Sequence, residues 1–222
     1  MLNTKNCLIL IPAFNEEANI LDTVQALKRI FPNILVIDDC STDSTYQIIS
    51  NNSVCVLRHI INIGQGGALQ TGFFYFINHT QYDFLITYDA DGQHQPSDAL
   101  KLLNHAYASN LDALFASRFL SKTTNDLAFF KDIPYTRRFF LRIANLFEKI
   151  FLGSHLSDSH NGLRVLNRHS VSKLLNLRNL RMAHASEIRS TLQRNNITTF
   201  KCDNKMIRFG CQIMSSKVFI PQ

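Results

Sequence analysis

The chain has 222 residues, 45% of them hydrophobic, with a formal net charge of +6 and a pI near 9.2. That length and apolar content suit one domain with a full core, and no uninterrupted apolar segment approaches the roughly 18 residues of a membrane span. The basic balance points to an anionic partner, yet no zinc, RNP or helix-turn-helix pattern accompanies it, which argues against nucleic acid.

The N-terminal run MLNTKNCLILIPAFNEE is broken at Pro12, Asn15 and two glutamates, unlike an export leader. CLILI (7–11) reads as a first strand ending in the polar cluster PAFNEE, and Ile20, Val24, Leu27 and Phe31 follow at helical spacing. ILVID (34–38) is a second strand running into DDCSTDST, where Asp38 and Asp39 suit simple helix caps before Ser41 to Thr45. VCVL (54–57) is a third. The five cysteines, Cys7, Cys40, Cys55, Cys202 and Cys211, show neither paired metal spacing nor C-x-x-C, which fits a reducing cytosol. Cys7 and Cys55 read as strand core residues. Gly64-Gln65-Gly66-Gly67 opens a helix with apolar positions Leu69, Phe73, Phe76 and Ile77. A dinucleotide fingerprint would need a small residue at 69 and a place after the first strand. Glycines serving a tight turn and close helix packing explain the run better.

A fourth strand, FLITYD (84–89), runs into Asp89 and Asp91, separated by Ala90. If the extended backbone persists through Ala90, both carboxylates point the same way, and at about 4 Å with an effective dielectric of 20 they repel by roughly 4 kcal/mol. A positive group is expected between them. A polar turn at Asp91-Gly92, with Pro96 opening a helix, accounts for the same residues. Leu100, Leu103 and Tyr107 mark that helix, and ALFAS (113–117) is a fifth strand. Beyond residue 118 come a basic, phenylalanine-rich stretch, then SDSHNGLRVLNR, then a polar helix near 184–195, and this last third is expected to decorate the sheet. Alternating strands and helices predict an α/β fold with a mostly parallel sheet, whose ligands bind beyond the carboxyl ends of the strands. The polar clusters sit at those ends.

Taken in order, LILIPAFNEEANI, VIDDCSTDST, NIGQGGALQTGF, DADGQHQP and SDSHNGLRVLNR resemble the family 2 glycosyltransferases of GT-A fold. The nearest branch is that of dolichyl-phosphate mannose synthase and the polyprenyl-phosphate glycosyltransferases. The resemblance implies a nucleotide-diphospho-sugar transferase fold, a twisted sheet with helices on both faces, as one domain over 1–222. Its nucleotide-binding half would span about 1–117 and its acceptor side about 118–222. It also implies that Pro12, Phe14, Asn15, Glu16, Gly66 and Ala90 line a nucleotide-sugar pocket. Asp38 or Asp39 would hold the base or ribose, Asp89 would face the sugar nucleotide, and Asp91 with Gln93 would complete a Mg²⁺ or Mn²⁺ site with Asp89. Such a cation relieves the paired carboxylates and stabilises the departing diphosphate. Cys40 stands where the family usually has glycine, so the backbone there is expected to lose access to positive φ. Gln65 replaces a commonly basic residue, and the expected glycine-serine motif near the end is only loosely matched by Arg208, Gly210 and Ser215.

The acceptor class follows from chemistry. Processive relatives carry Q-x-x-R-W, and this chain has no tryptophan. A phosphate monoester, with a second pKa of about 6, is mostly dianionic at pH 7 and needs cations rather than a general base. Arg118, Arg137, Arg138 and Arg142 fall where the lipid-phosphate branch places its phosphate-holding arginines; a solvated basic face is their alternative. Glu187 is the candidate base for a hydroxyl acceptor, or else orders the acceptor site. Asp158 faces sugar or acceptor, or caps a turn. The amphipathic stretch 133–153 suits an interfacial helix on anionic lipid, although a core helix gives the same pattern. The expected function is inverting transfer of a sugar from a UDP- or GDP-sugar to a polyprenyl phosphate, by a protein peripheral on the cytoplasmic membrane face. Transfer to a saccharide hydroxyl in surface polysaccharide synthesis is the first alternative. A non-catalytic nucleotide-sugar-binding protein is the second.

Overall fold

Every residue of β1 (Cys7–Ala13) is buried, and so is every residue of β2 (Ile34–Asp38), the mark of parallel strands covered on both faces. A computed structural model describes residues 4–117, 162–181 and 183–203. The other strands are β3 (Cys55–Arg58), β4 (Phe84–Thr87), β5 (Ala113–Ser117), β6 (Arg164–Asn167) and β7 (Thr199–Asp203). They form one seven-stranded sheet in the order β3-β2-β1-β4-β6-β5-β7. β6 runs antiparallel to both β4 and β5, and the other pairings are parallel.

Strand alternation sorts the core into two layers. Cys7, Ile9 and Ile11 join a cluster with α1 (Ile20–Lys28), α2 (Thr45–Ser50) and α4 (Pro96–Ala108). Leu8 and Leu10 join the opposite cluster with α3 (Gln65–His79), α5 (Arg168–Ser172) and α6 (His184–Arg194). Helices therefore cover both faces, as expected. In α1 the spacing of Ile20, Val24 and Leu27 sets the buried stripe, which Phe31 extends beyond the helix, all at 2% exposure or less.

Three expectations are corrected. β6 and β7 extend the sheet, so the last third does more than decorate it; β6 is only four residues long and lies inside the largely polar run SDSHNGLRVLNR. Cys55 is exposed because β3 is the open edge strand, whereas Cys7 in central β1 is fully buried. In α4 the buried face is Ala99, Leu102, Leu103 and Ala106, with Leu100 partly buried and Tyr107 exposed. The alanines let that helix approach the sheet more closely than the larger residues would.

Close approach also governs α3. A Cβ at Gly72 would overlap the side chain of Leu10, itself wholly buried in β1. Gly72→Ala should therefore lower stability by about 1–3 kcal/mol through overpacking, measured as a reduced midpoint of chemical denaturation with an unchanged slope.

Candidate active site

The loops after β1 and β2 clasp each other. Asn15 takes the left-handed conformation at φ 56°, which asparagine tolerates. Its N–H donates to Ser41 Oγ (3.0 Å) and its Oδ1 accepts from Thr42 N (2.8 Å). Glu16 N donates to Thr45 Oγ1 (2.8 Å), Glu17 N to Asp43 Oδ2 (3.1 Å), and Ser44 N returns a bond to Glu17 Oε2 (2.9 Å). The N-E-E and S-T-D-S-T motifs are thus two halves of one hydrogen-bonded unit.

Asp39, 2% exposed, lies at the centre of this end of the sheet. Its N–H donates to Ala13 O (2.8 Å), while its carboxylate accepts from Ile63 N (3.0 Å), Gly64 N (2.7 Å) and His59 Nδ1 (2.7 Å). The other ring nitrogen of His59 lies 2.9 Å from Thr71 Oγ1, so the loop between β3 and α3 is tied to the end of β2. Asp38 is fully buried and lies 3.1 Å from Arg58 Nε, away from the cavity described next. Cys40 adopts φ 63°, so the loss of positive φ expected from replacing glycine does not occur. Its thiol donates to Ile60 O at 3.3 Å.

Beyond the ends of β1 and β4 opens a cavity of about 460 Å³. Pro12, Ala13, Phe14 and Glu16 form one wall, Asp39, Asn62, Gly64, Gln65 and Ala68 another, and Asp89, Ala90 and Asp91 the third. Among the described residues its ionisable lining consists of the carboxylates Glu16, Asp39, Asp89 and Asp91.

β4 ends at Thr87, so the extended backbone does not persist through Ala90 and the two aspartates are separated by a turn. Ala90 O accepts from Thr23 Oγ1 at 3.1 Å, Gly92 takes φ 72°, and Asp91 Oδ1 accepts from Gln93 N at 3.0 Å. Asp89 has its own partners. His94 Nε2 lies 3.6 Å from Oδ2 and Gln65 Nε2 donates to Oδ1 at 3.3 Å. Burial pushes the Asp89 carboxyl up, but the bond and charge of His94, the charge of buried Arg164 and the N–H of Gly162 outweigh it, holding its pKa below the ordinary value. A side chain at Gly162 would overlap this carboxylate, so the N-G-L-R motif brings a bare backbone against Asp89. Tyr88 is pushed up by burial and by Asp98, Asp91 and Asp89, stays a phenol, and donates to His94 O. His94, Arg164, Gly162 and Gln65 all lie in the motifs quoted above, but only their folded neighbours give them roles.

Glu187 stands on α6, outside the cavity lining. Its carboxylate accepts from Arg178 N (2.8 Å), Asn179 N (2.7 Å) and Asn179 Nδ2 (3.0 Å). It fixes the strap of residues 178–181, whose Leu180 O accepts from Gly67 N at 3.2 Å. A Cβ at Gly66 would come within 2.5 Å of Asn179 O and 2.8 Å of His184 Cβ. Gly66 therefore serves the strap and does not line the cavity.

The structure thus gathers Pro12, Phe14, Glu16, Asp39, Asp89, Ala90 and Asp91 around one cavity, with Asn15 and Gly66 supporting its walls, Asp38 turned to Arg58, and Gln93 bonded through its N–H to Asp91. Asp158, Arg118, Arg137, Arg138, Arg142, the stretch 133–153 and the tail residues Arg208, Gly210 and Ser215 lie outside the described residues. Among the described residues no group of three or more His, Cys, Asp or Glu gathers around a metal position. Asp89 and Asp91 nonetheless fit Mg²⁺ or Mn²⁺, which are held through one or two carboxylates with substrate oxygens and water completing the shell.

The sequence pattern of Glycosyl transferase family 2 matches residues 8–175. The chain belongs to this family. An uncharacterized protein of Methanocaldococcus jannaschii is 35% identical over 78% of this glycosyltransferase and 70% of its own length. The UDP-N-acetylglucosamine–dolichyl-phosphate N-acetylglucosaminyltransferase of Methanococcus voltae is 29% identical over 75% of this chain and 71% of its own. The polyprenol monophosphomannose synthase of Mycolicibacterium smegmatis is 28% identical over 77% of this chain, which spans 65% of that enzyme's length. Among solved structures, glucosyl-3-phosphoglycerate synthase of Mycobacterium tuberculosis with Mn²⁺, UDP-glucose and phosphoglyceric acid gives a TM-score of 0.63 at 16% identity, covering 89% of this chain and 69% of that one. The glycosyltransferase has the GT-A fold.

In this glycosyltransferase the Glu187 carboxyl is pushed up by burial but drawn further down by the N–H groups of Arg178 and Asn179, the Asn179 amide and the Arg178 charge. A carboxylate lowered in the folded state stabilises it fully above the unfolded value and loses that contribution as pH falls through the folded one. Glu187→Gln should therefore lower the melting temperature at pH 7. The gap from wild type should hold down to the ordinary glutamate value of 4.5 and shrink below it, as read by calorimetry across that range.

Proposed function

We propose that this glycosyltransferase moves a sugar from a nucleoside diphosphate to a polyprenyl phosphate, inverting the anomeric centre. The observation that carries the choice of acceptor is the state of Glu187. With three donors on its oxygens and its pKa held down, it is a poor general base. A saccharide hydroxyl needs such a base; a dianionic phosphate does not. The named relatives from Methanococcus voltae and Mycolicibacterium smegmatis support a polyprenyl-phosphate acceptor.

In this reading the base and ribose lie along the wall made by Phe14, Asn62 and Asp39, and the diphosphate reaches toward Asp89 and Asp91. An acceptor phosphate oxygen attacks the anomeric carbon from the face opposite the diphosphate. The glycosidic bond to the diphosphate breaks, and its electron pair leaves with the nucleoside diphosphate. A divalent cation held by Asp89 and Asp91, with Gln93 at its edge, would neutralise charge on that leaving group. His94 and Arg164 keep Asp89 ionised and fixed from behind. Among the described residues no helix is long and apolar enough to cross a membrane. Access to a lipid acceptor on the cytoplasmic membrane face is proposed through peripheral contact, with the stretch 133–153 as the interfacial element.

The test is a panel of UDP- and GDP-sugars with a short-chain polyprenyl phosphate, read as formation of the sugar-lipid. Turnover should require Mg²⁺ or Mn²⁺ and stop in excess EDTA. Asp91→Asn should lower kcat by about a hundredfold or more, roughly 3 kcal/mol of lost transition-state stabilisation, with an unchanged circular dichroism spectrum. Transfer to a free saccharide but to no phosphate lipid would favour the hydroxyl acceptor. Nucleotide-sugar binding with neither transfer nor donor hydrolysis would favour a binding protein.

A further inference from the structure

The cavity poses a charge problem. Among the described residues its ionisable lining is Glu16, Asp39, Asp89 and Asp91, yet the proposed donor is itself an anion. A single divalent cation cannot offset both the carboxylates and a diphosphate, so a protein cation is needed at the mouth. His94 and Arg164 are buried behind Asp89 and already serve it. Arg58 is paired with Asp38.

We propose that Arg181 is the cation that meets a phosphate group of the substrates at the mouth of this cavity, an inference that rests on the sugar-transfer reading above. Arg181 is exposed and lies against Gly64, one of the lining residues: a Cβ at Gly64 would stand 3.0 Å from Arg181 Cγ and 3.3 Å from its Cα. Its backbone is fixed. Leu180 O accepts from Gly67 N, and Arg181 O accepts from His184 N at 3.2 Å and from His184 Nδ1 at 2.7 Å. The preceding strap is clamped by Glu187 through Arg178 N and Asn179 N. Gly64 and Gly66 have no side chains to hold the strap away. Among the described residues the Arg181 guanidinium has no carboxylate within ion-pair distance, whereas Arg178 adds its charge to Glu187. Two glycines, a buried histidine and a clamped carboxylate thus hold the Arg181 backbone and the base of its side chain against the lining residue Gly64. The planar guanidinium fork of donors matches phosphate oxygens.

The phosphate can belong to the donor or to the acceptor, and two measurements separate them. Calorimetric titration of UDP and of GDP, each with Mn²⁺, reads the donor side; the KM for a short-chain polyprenyl phosphate reads the acceptor side. Loss of a charge-assisted bond to phosphate weakens binding about tenfold to a hundredfold. Arg181→Ala and Arg181→Met should show that loss in nucleotide affinity if the donor diphosphate is the partner. With unchanged nucleotide affinity, the loss should appear in the acceptor KM if the acceptor phosphate is. Arg181→Lys should recover part of it, which a purely structural role would not produce. The side chain is exposed, so these variants should keep the wild-type melting temperature. Unchanged nucleotide affinity together with unchanged acceptor KM in folded Arg181→Ala would overturn the assignment. If the wild type binds neither nucleotide and transfers to no acceptor, the sugar-transfer reading fails first and takes this inference with it.

Discussion

One buried carboxylate, Asp39, joins the ends of three strands. Its amide bonds to the last residue of β1, and its oxygens collect two backbone N–H groups and a histidine from the segment between β3 and α3. Removing it would leave those half-buried donors without their carboxylate partner, each costing up to about 1–3 kcal/mol. The start of α3, and with it the wall containing Gly64, Gln65 and Ala68, is placed by this carboxylate. The neighbouring clasp between Asn15 to Glu17 and Ser41 to Thr45 sets the opposite wall by the same means. Both devices use side chains to saturate loop backbone that no strand or helix can satisfy.

Charge is segregated around this scaffold. Carboxylates face the cavity, while His94 and Arg164 stand behind Asp89, and Arg58 serves Asp38 away from the cavity. A cation placed behind an aspartate keeps it ionised without cancelling the field it presents in front. Against a net charge of +6 for the whole chain, the described lining of the cavity is acidic. An anionic substrate is drawn toward the protein by the whole molecule and retained in the cavity only with cations beside it.

Much of this was legible in sequence. Parallel strands buried on both faces are continuous apolar runs, so β1, β2, β4 and β5 were readable, and the polar clusters after them fall at one end of the sheet. The resemblance to family 2 glycosyltransferases supplied the grouping of Asp38 or Asp39 with Asp89 and Asp91. What was not legible depended on neighbours distant in sequence. β6 is four residues inside a polar motif and becomes a strand only by pairing with β4 and β5 on either side. Asp38 and Asp39 are adjacent and chemically identical, and only the twofold alternation of the strand sends one to Arg58 and the other to the cavity wall. Cys40 keeps a left-handed backbone because its surroundings determine it, at a cost of about 1–2 kcal/mol that glycine would avoid.

Glu187 illustrates how a residue's chemistry is set by what surrounds it. On an amphipathic helix beside a transferase site, a lone glutamate reads as a base. Its oxygens instead close the strap of residues 178–181, and each N–H it accepts stabilises the ionised form and lowers its affinity for a proton. A carboxylate cannot both hold a loop through its charge and give up that charge to take a substrate proton, because protonation at each turnover would weaken the bonds that place the strap. An acceptor that arrives already ionised removes the conflict. The same proposed acceptor would raise the demand for cations, since it would meet an anionic donor over an acidic floor. Under the proposed transfer to a phosphate, strap, clamp and Arg181 would be parts of one solution, in which the nucleophile brings its own charge and the protein supplies position and counter-charge in place of a base.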